Sequence, residues 1–496
     1  MSDDAAELVR LGARLMRESA FEDAARVLEW AVEAAPEPEP LALLALCHLR
    51  CGRGDLALEC ARSAVAGDET NLTAQDALGL AATDQWHEAE ALAAFDRCIQ
   101  DDPTSAESFF HRGMAHFHFG RFTEAAADVV RSLVVQDRSV IGRLQRSLAR
   151  SHRQGAATVV AQLPRFRREA RGEREQEALD VLAVSLAAIE DDTRIANAGA
   201  VRLRVHGPLR WAAAALRWMA WRERGEGRRG LRLLDTAVTA NSGDSALRWA
   251  RAMTLRSEAT DPRSSGDLAF LARRHRRAVE VAHDWVESLI ARGSLETAEA
   301  ENLVYLEQQP IDGRQLHFRA AILERLGRPA EELEVWNELV AHGTGDSDVV
   351  AAEAAPAGVE EDEDDELAQL GELERRDFRR DLFLGRAECL GRLGDDEAAM
   401  QDFGRAFEIQ EEIFAAPANR CEIDVARLRR AHYWAARARL REALADLDEC
   451  VRRCPGSANL WDRRAEIKDA MKDTQGAEAD RREARRLRER GENRGE

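Results

Sequence analysis

The sequence predicts an all-α fold, a solenoid of helix–turn–helix hairpins, and three observations carry that prediction. The 496 residues hold 5% aromatics and two tyrosines, Tyr305 and Tyr433, while Ala and Leu dominate the apolar positions. A sandwich or barrel needs β-branched and aromatic residues, whereas Ala and Leu favour helix. Small residues recur at positions 12, 45, 79 and 113, in steps of 33, 34 and 34. Each repeat also carries two helical stripes divided by a break, as at Glu18–Glu22, Gly52–Asp55, Thr83–Trp86 and Gly120–Thr123.

The elements follow in order. The first unit reads Leu11-Gly12, Ala24, Leu28, Ala31 and Pro36. The second reads Leu44-Ala45, Ala57, Ala61 and Ala64, and the third Leu78-Gly79, Ala91, Phe95, Cys98 and Pro103. The fourth has Gly113, Ala125, Val129 and Ser132. A small residue on the first helix lets the second approach closely, and residues seven apart such as Ala24 and Ala31 share a helix face. Pro36 and Pro103 end the second helix, because the residue before proline avoids the α region. One such hairpin cannot bury its own apolar face and needs neighbours.

This pattern resembles the tetratricopeptide repeat family over about 5–139 and again over 424–491. In the latter stretch Ala431, Trp434, Ala443, Leu447, Cys450 and Pro455 match, followed by Trp461, Ala465, Ala477 and Ala484. Fewer slots match over 279–346 (Ala298, Pro310, Ala320, Trp336) and 378–413 (Leu384-Gly385, Ala399, Phe403, Ala406). Over 140–278 the helical periodicity persists while the slots drift. The family's tyrosine slot holds Leu15, His48, Ala82, His116 and Trp434 instead. The resemblance implies a right-handed solenoid of about a dozen hairpins. The expected organisation is an N-terminal array of four repeats (1–139), divergent helical repeats (140–278), further repeats (279–345), an acidic linker or loop (346–366), and a C-terminal array with a polar capping helix (367–496).

Charge and composition exclude several classes. The net charge is −20, with 71 basic and 91 acidic residues, which argues against general adhesion to nucleic acid or anionic lipid. Only Lys468 and Lys472 are lysines, so 69 of the basic residues are arginine. No apolar run approaches the ~18 residues of a membrane span. The acidic N-terminus (Asp3, Asp4, Glu7) has no signal-peptide pattern, so a cytoplasmic location is expected. Eight dispersed cysteines are not a disulfide framework. Two segments stand apart. Residues 346–366 carry ten acidic side chains and no basic one, and 138–174 carry ten arginines and two glutamates. Their opposite signs allow an intramolecular latch.

A search for chemistry selects no catalytic set. The GxGxxG match at Gly225, Gly227 and Gly230 follows a helical stripe, Trp211–Arg224, rather than a strand, so it reads as a hairpin turn and not a dinucleotide site. His111, His116 and His118 lack the i,i+4 spacing and further ligands of a metal site. Cys47/Cys51 and Cys450/Cys454 lie in helical stripes and read as small buried residues. A catalytic domain would have to lie in 140–278. Asp180, Asp191, Asp192, His206 and Asp235 there have no selecting spacing. No cofactor, metal or catalytic residue is assigned.

In the resembling family, partners lie along a concave face built from the first helices. Carried onto this chain, those slots give Val9, Met16, Ala42, Leu46, Leu49, Leu80, Phe110, Met114, Phe117 and His118. The family's carboxylate clamp is absent, since its slots hold Val9, Ala13 and Leu43. The expected function is therefore a non-catalytic scaffold or adaptor that holds a partner peptide or amphipathic helix. Two alternatives stay open: a constitutive subunit of a larger complex, or a helical-repeat protein that binds RNA through 138–174 and the run Arg273, Arg274, His275, Arg276, Arg277. The strip is also open to being covered by the chain's own 140–208 helices.

Overall fold

A computed structural model describes residues 3–135, 163–190 apart from 164, 167 and 171, then 203–223, 227–256, 261–307, 312–343, 364–415 and 423–492. The described residues are helical with no strand, in agreement with the all-α expectation. Two compact units, 1–294 and 295–496, divide the chain.

The first unit opens with four hairpins: α1 (Asp3–Arg17) with α2 (Phe21–Ala34), α3 (Pro38–Arg50) with α4 (Gly54–Gly67), α5 (Leu72–Asp84) with α6 (Glu88–Asp101), and α7 (Ala106–His118) with α8 (Phe122–Val134). Each second helix packs on the first helix of the next hairpin. Then come α9 (Glu173–Glu190), the hairpin α10 (Arg210–Glu223) and α11 (Gly227–Ala240), the hairpin α12 (Ser245–Thr254) and α13 (Pro262–Arg274), and α14 (Val279–Ala291). The chain returns on itself here. α9, α10 and α12 all pack against α8. Arg131 on α8 donates to Asp244, at 2.8 Å, just ahead of α12. Gln100 on α6 donates to the carbonyl of Arg274 at 2.9 Å. One continuous core therefore runs from Ile99 to Val281, with Trp218, Phe110 and Leu182 among its buried side chains.

The second unit contains α15 (Leu295–Leu306), the hairpin α16 (Gly313–Leu326) and α17 (Pro329–Gly343), the long helix α18 (Asp364–Leu393) with α19 (Asp396–Ala415), and the hairpins α20 (Val425–Ala436) with α21 (Leu440–Arg453) and α22 (Ala458–Ala470) with α23 (Thr474–Glu492). Trp336, Phe403, Tyr433 and Trp434 form its aromatic core. Of the acidic segment, Asp364–Glu366 begin α18. The rest, 346–363, lies outside the described residues, as does most of 138–174.

Three local rules explain the hairpins. The small slot is required by close approach: a Cβ on Gly12 would lie 2.6 Å from Leu28, and one on Gly79 2.5 Å from Phe95. In each case the wedge sits sixteen residues after the small residue, at the same depth on the second helix. The same spacing identifies Ala387 as the small residue facing Phe403, so the Leu384-Gly385 assignment is corrected by two positions. Gly385 instead receives Trp336 of the preceding hairpin. In most hairpins the first helix ends in a left-handed residue, glycine at positions 52, 120, 327 and 394 and Ser19, Trp86, Ala438 or Lys472 in others. There the next amide reaches five residues back, as Arg53 N–H does to the His48 carbonyl at 2.8 Å, a Schellman stop. Several first helices begin on short polar caps: Asn71, Ser105, Asp244, Asp312 and Asp424 each accept a backbone N–H from the first turn.

Candidate functional site

The first helices do not expose all of the residues expected on the concave face. Phe110 is completely buried, and Met114 and Val9 are buried too. For Phe110 and Met114 this is a correction with a clear cause. They join the core that α8 builds with α9 and α10, and Phe166 covers the same end with its ring edge-on to Phe117 at 5.4 Å. Ala42 is buried as well. Met16, Leu46, Leu49 and Leu80 are half-buried and retain solvent exposure on α1, α3 and α5. Phe117 and His118 are half-buried at the end of that row, and the His118 ring lies 4.2 Å from the indole of Trp86.

Trp86 was not among the sequence candidates. It occupies the left-handed turn position that glycine fills in several other hairpins, with φ +59°, and it is 66% exposed. The first three hairpins are also strongly acidic, with 20 acidic against 8 basic residues over 3–101.

The histidine and cysteine candidates are held in the packing between helices. His111 is buried against Asp76 at 2.7 Å. Burial pushes the His116 and His118 imidazoles toward the neutral form, and the charges of Asp128 and Asp84 respectively pull back against it. Cys47 and Cys450 are buried thiols, each pushed up to about 12 by burial first and nearby charge second. No group of three or more His, Cys, Asp or Glu among the described residues is arranged to hold a metal ion. Gly227 and Gly230 lie in α11, where a Cβ on Gly230 would come 3.0 Å from Trp218. Gly225, Asp191 and Asp192 lie outside the described residues.

The most regular polar feature is one that the sequence reading passed over. Arg112, Arg251, Arg386, Arg430 and Arg464 each stand immediately before the small residue of a hairpin. Each grips the aspartate sixteen residues later on the second helix, with Nε on Oδ2 and Nη2 on Oδ1. The partners are Asp128 (2.7 and 2.8 Å), Asp267 (2.7 and 2.9 Å), Asp402 (2.7 and 2.9 Å), Asp446 (2.9 and 2.7 Å) and Asp480 (2.9 and 2.7 Å). All five carboxylates are buried. The remaining nitrogen, Nη1, often reaches back one hairpin. It meets Asp96 from Arg112, Asp235 from Arg251, Asn337 from Arg386 and Asp448 from Arg464, at 2.6, 3.0, 3.1 and 2.8 Å.

This planar, five-donor geometry suits arginine and not lysine. Burial pushes the Asp128 carboxyl up, but the hydrogen bonds and charges of Arg112 and Arg131 outweigh it and hold the group below the ordinary carboxylate range. Asp480 is held low in the same way by Arg464 and Lys468 against its own burial. In the first three hairpins the arginine slot holds Leu11, Leu44 and Leu78, and the aspartate slot Val27, Cys60 and Ala94. α16 keeps the arginine, Arg319, but faces Val335. Its Nε is buried without a hydrogen-bond partner among the described residues.

The stacked hairpins, their small slots and their left-handed turns define an all-α helical-repeat solenoid fold. Unit by unit, the hairpins are similar to tetratricopeptide repeats. No family model and no curated protein matches the chain. Among solved structures, the human IFIT1 dimer with m7Gppp-AAAA is 13% identical, with 98% of this chain and 95% of that one covered at a TM-score of 0.34. Yeast Tom70 is 12% identical over 98% and 96%, with a TM-score of 0.30. A thermophilic TPR protein from Thermus thermophilus is 18% identical over 51% and 98%, with a TM-score of 0.25.

Proposed function

We propose that the protein is a non-catalytic scaffold that holds a partner segment against the first helices of its N-terminal hairpins. The observation that carries this reading is the row of half-buried apolar side chains, Met16, Leu46, Leu49 and Leu80, on three successive first helices. Apolar surface of this kind, rimmed by charge, marks an interaction site, and Met and Leu adapt to varied partners. The surrounding excess of 20 acidic over 8 basic residues favours an amphipathic helix whose polar face is basic. No helix of the described residues is long and apolar enough to cross a membrane.

The test is quantitative affinity purification with wild type and the Leu46→Asp/Leu49→Asp variant, with helicity checked by circular dichroism. A partner set lost from the variant supports the reading. The same set recovered at unchanged yield refutes it. The runner-up, a constitutive complex subunit, differs in that its partners co-elute stoichiometrically through high-salt washes.

A further inference from the structure

The basic run at the end of α13 is not absorbed by that reading. A cavity of about 560 Å³ opens beside it, lined by Arg248 of α12 and by Gly266, Ala269, Phe270, Arg273 and Arg274 of α13. The spacing 266, 269/270 and 273/274 places the α13 residues on one helix face. Gly266 contributes open space, since a Cβ there meets nothing within 4 Å. Arg248 is fixed in place: it donates to Asp267 at 2.6 Å and to the Ser242 carbonyl at 2.7 Å, and its guanidinium lies 4.2 Å above the Phe270 ring.

The end of α13 is anchored as firmly. Gln100 holds the Arg274 carbonyl, and the buried His275 ring bridges the Gln100 carbonyl at 2.8 Å and the Ser245 hydroxyl at 2.7 Å. Arg273 and Arg274 project from this fixed backbone and are exposed. Neither side chain has a carboxylate partner among the described residues, although most of the repeat's arginines are paired with one. Cations complement the helix C-terminus. That accounts for their sign but not for their lack of partners.

We infer that this groove binds a short acidic peptide segment of a partner protein. The groove runs along roughly 12 Å of helix, from Gly266 to Arg274 at 1.5 Å per residue. Gly266 and Ala269 leave room for a main chain, the free edge of Phe270 offers an apolar contact, and the two guanidinium forks match carboxylates. Nucleic acid fits worse. The one ring in the groove already carries Arg248 on its face, so no platform remains for stacked bases. The net charge of −20 also opposes a long polyanion more than a short peptide.

The site is separate from the N-terminal row, so its test is independent of the function proposed above. Fluorescence anisotropy with the full chain uses a labelled peptide, Ala-Leu-Glu-Glu-Leu-Glu-Glu-Ala, at low ionic strength. Binding should weaken at least tenfold in Arg273→Gln/Arg274→Gln, and at least fivefold in Gly266→Leu, which fills the groove and leaves the charge alone. Arg26→Gln, which removes an exposed arginine of α2 that lines neither the groove nor the row, should leave it unchanged. A loss below twofold in either groove variant overturns the proposal. So does tighter binding of a single-stranded oligonucleotide of matched charge.

Discussion

The Arg386–Asp402 pair offers a direct measure of what the repeated bidentate contact does. Asp402 is buried and accepts both Nε and Nη2 of Arg386, while Nη1 reaches Asn337. Asp402→Ala removes the acceptor and leaves a largely desolvated guanidinium, a loss of about 3 kcal/mol by analogy with broken buried pairs. Arg386→Lys keeps the charge but loses the fork, and costs about 1–2 kcal/mol. The double variant Arg386→Leu/Asp402→Ala installs the pair that hairpin α5/α6 already carries at the same two slots, Leu78 and Ala94. It should cost less than Asp402→Ala alone, because no charge is left buried.

Repeat arrays do not unfold in one step, so the readout is hydrogen exchange of α18 and α19 in the native protein. A loss of about 3 kcal/mol corresponds to roughly 100-fold faster exchange. Lysine should give about fivefold to thirtyfold, and the double variant should recover part of the Asp402→Ala loss. Exchange changed less than threefold by Asp402→Ala, or a double variant as damaged as the sum of its parts, refutes the assignment.

Two further outcomes follow from the same structure. His48, His116, His118, His275, His317 and His432 are all pushed toward the neutral form, chiefly by burial. His275 must donate from Nδ1 to the Gln100 carbonyl, so its Nε2 accepts from Ser245, which is the neutral ring. Because the unfolded chain takes up protons first, stability is complete above about pH 6.5 and falls as pH drops below it, by up to about 1.4 kcal/mol per pH unit for each histidine. It levels off once the folded histidines protonate. Asp128 and Asp480, whose folded pKa values are depressed, add a second loss below the ordinary carboxylate range. Helicity followed on heating from pH 8 to 3 checks this, and an onset of unfolding that stays flat or rises between pH 7 and 5.5 contradicts it. Separately, Trp86→Gly relieves a left-handed tryptophan at φ +59° and should slow hydrogen exchange in α5 and α6, by about 1 kcal/mol. Faster exchange would show that stacking on His118 outweighs the strain.

What the sequence made legible, and what it did not, separates along one physical line. The hairpins and their turns were readable because Gly12, Ala24 and Leu28 act within about twenty residues, through contacts that periodicity encodes. Phe110 and Met114 were misplaced because residues far along the chain bury them: α9, α10 and Phe166 close over α7 and α8. No local pattern announces that return.

The arginine contacts were legible in principle, as an arginine before the small slot and an aspartate sixteen residues on. They were passed over because charges on helices are usually solvated. They give the scarcity of lysine a structural use. An ammonium is a point charge and donates to a carboxylate from any direction, whereas a guanidinium fork donates to both oxygens only in one orientation. A leucine in the same slot, buried as Leu44 and Leu78 are, gains from burial but not from direction. Arg112, Arg251 and Arg464 hold an aspartate on each side, one in their own hairpin and one in the hairpin before. Each therefore fixes the rotation of one hairpin on the next as well as their contact. The apolar slots of α1, α3 and α5 supply no such buried fork; the second and third hairpins are joined instead by the more exposed Arg62–Glu90 pair, and it is on these hairpins that the half-buried Met16, Leu46, Leu49 and Leu80 lie. A surface that must adapt to a partner is better placed on hairpins whose small slots are apolar than on hairpins whose small slots carry a buried fork.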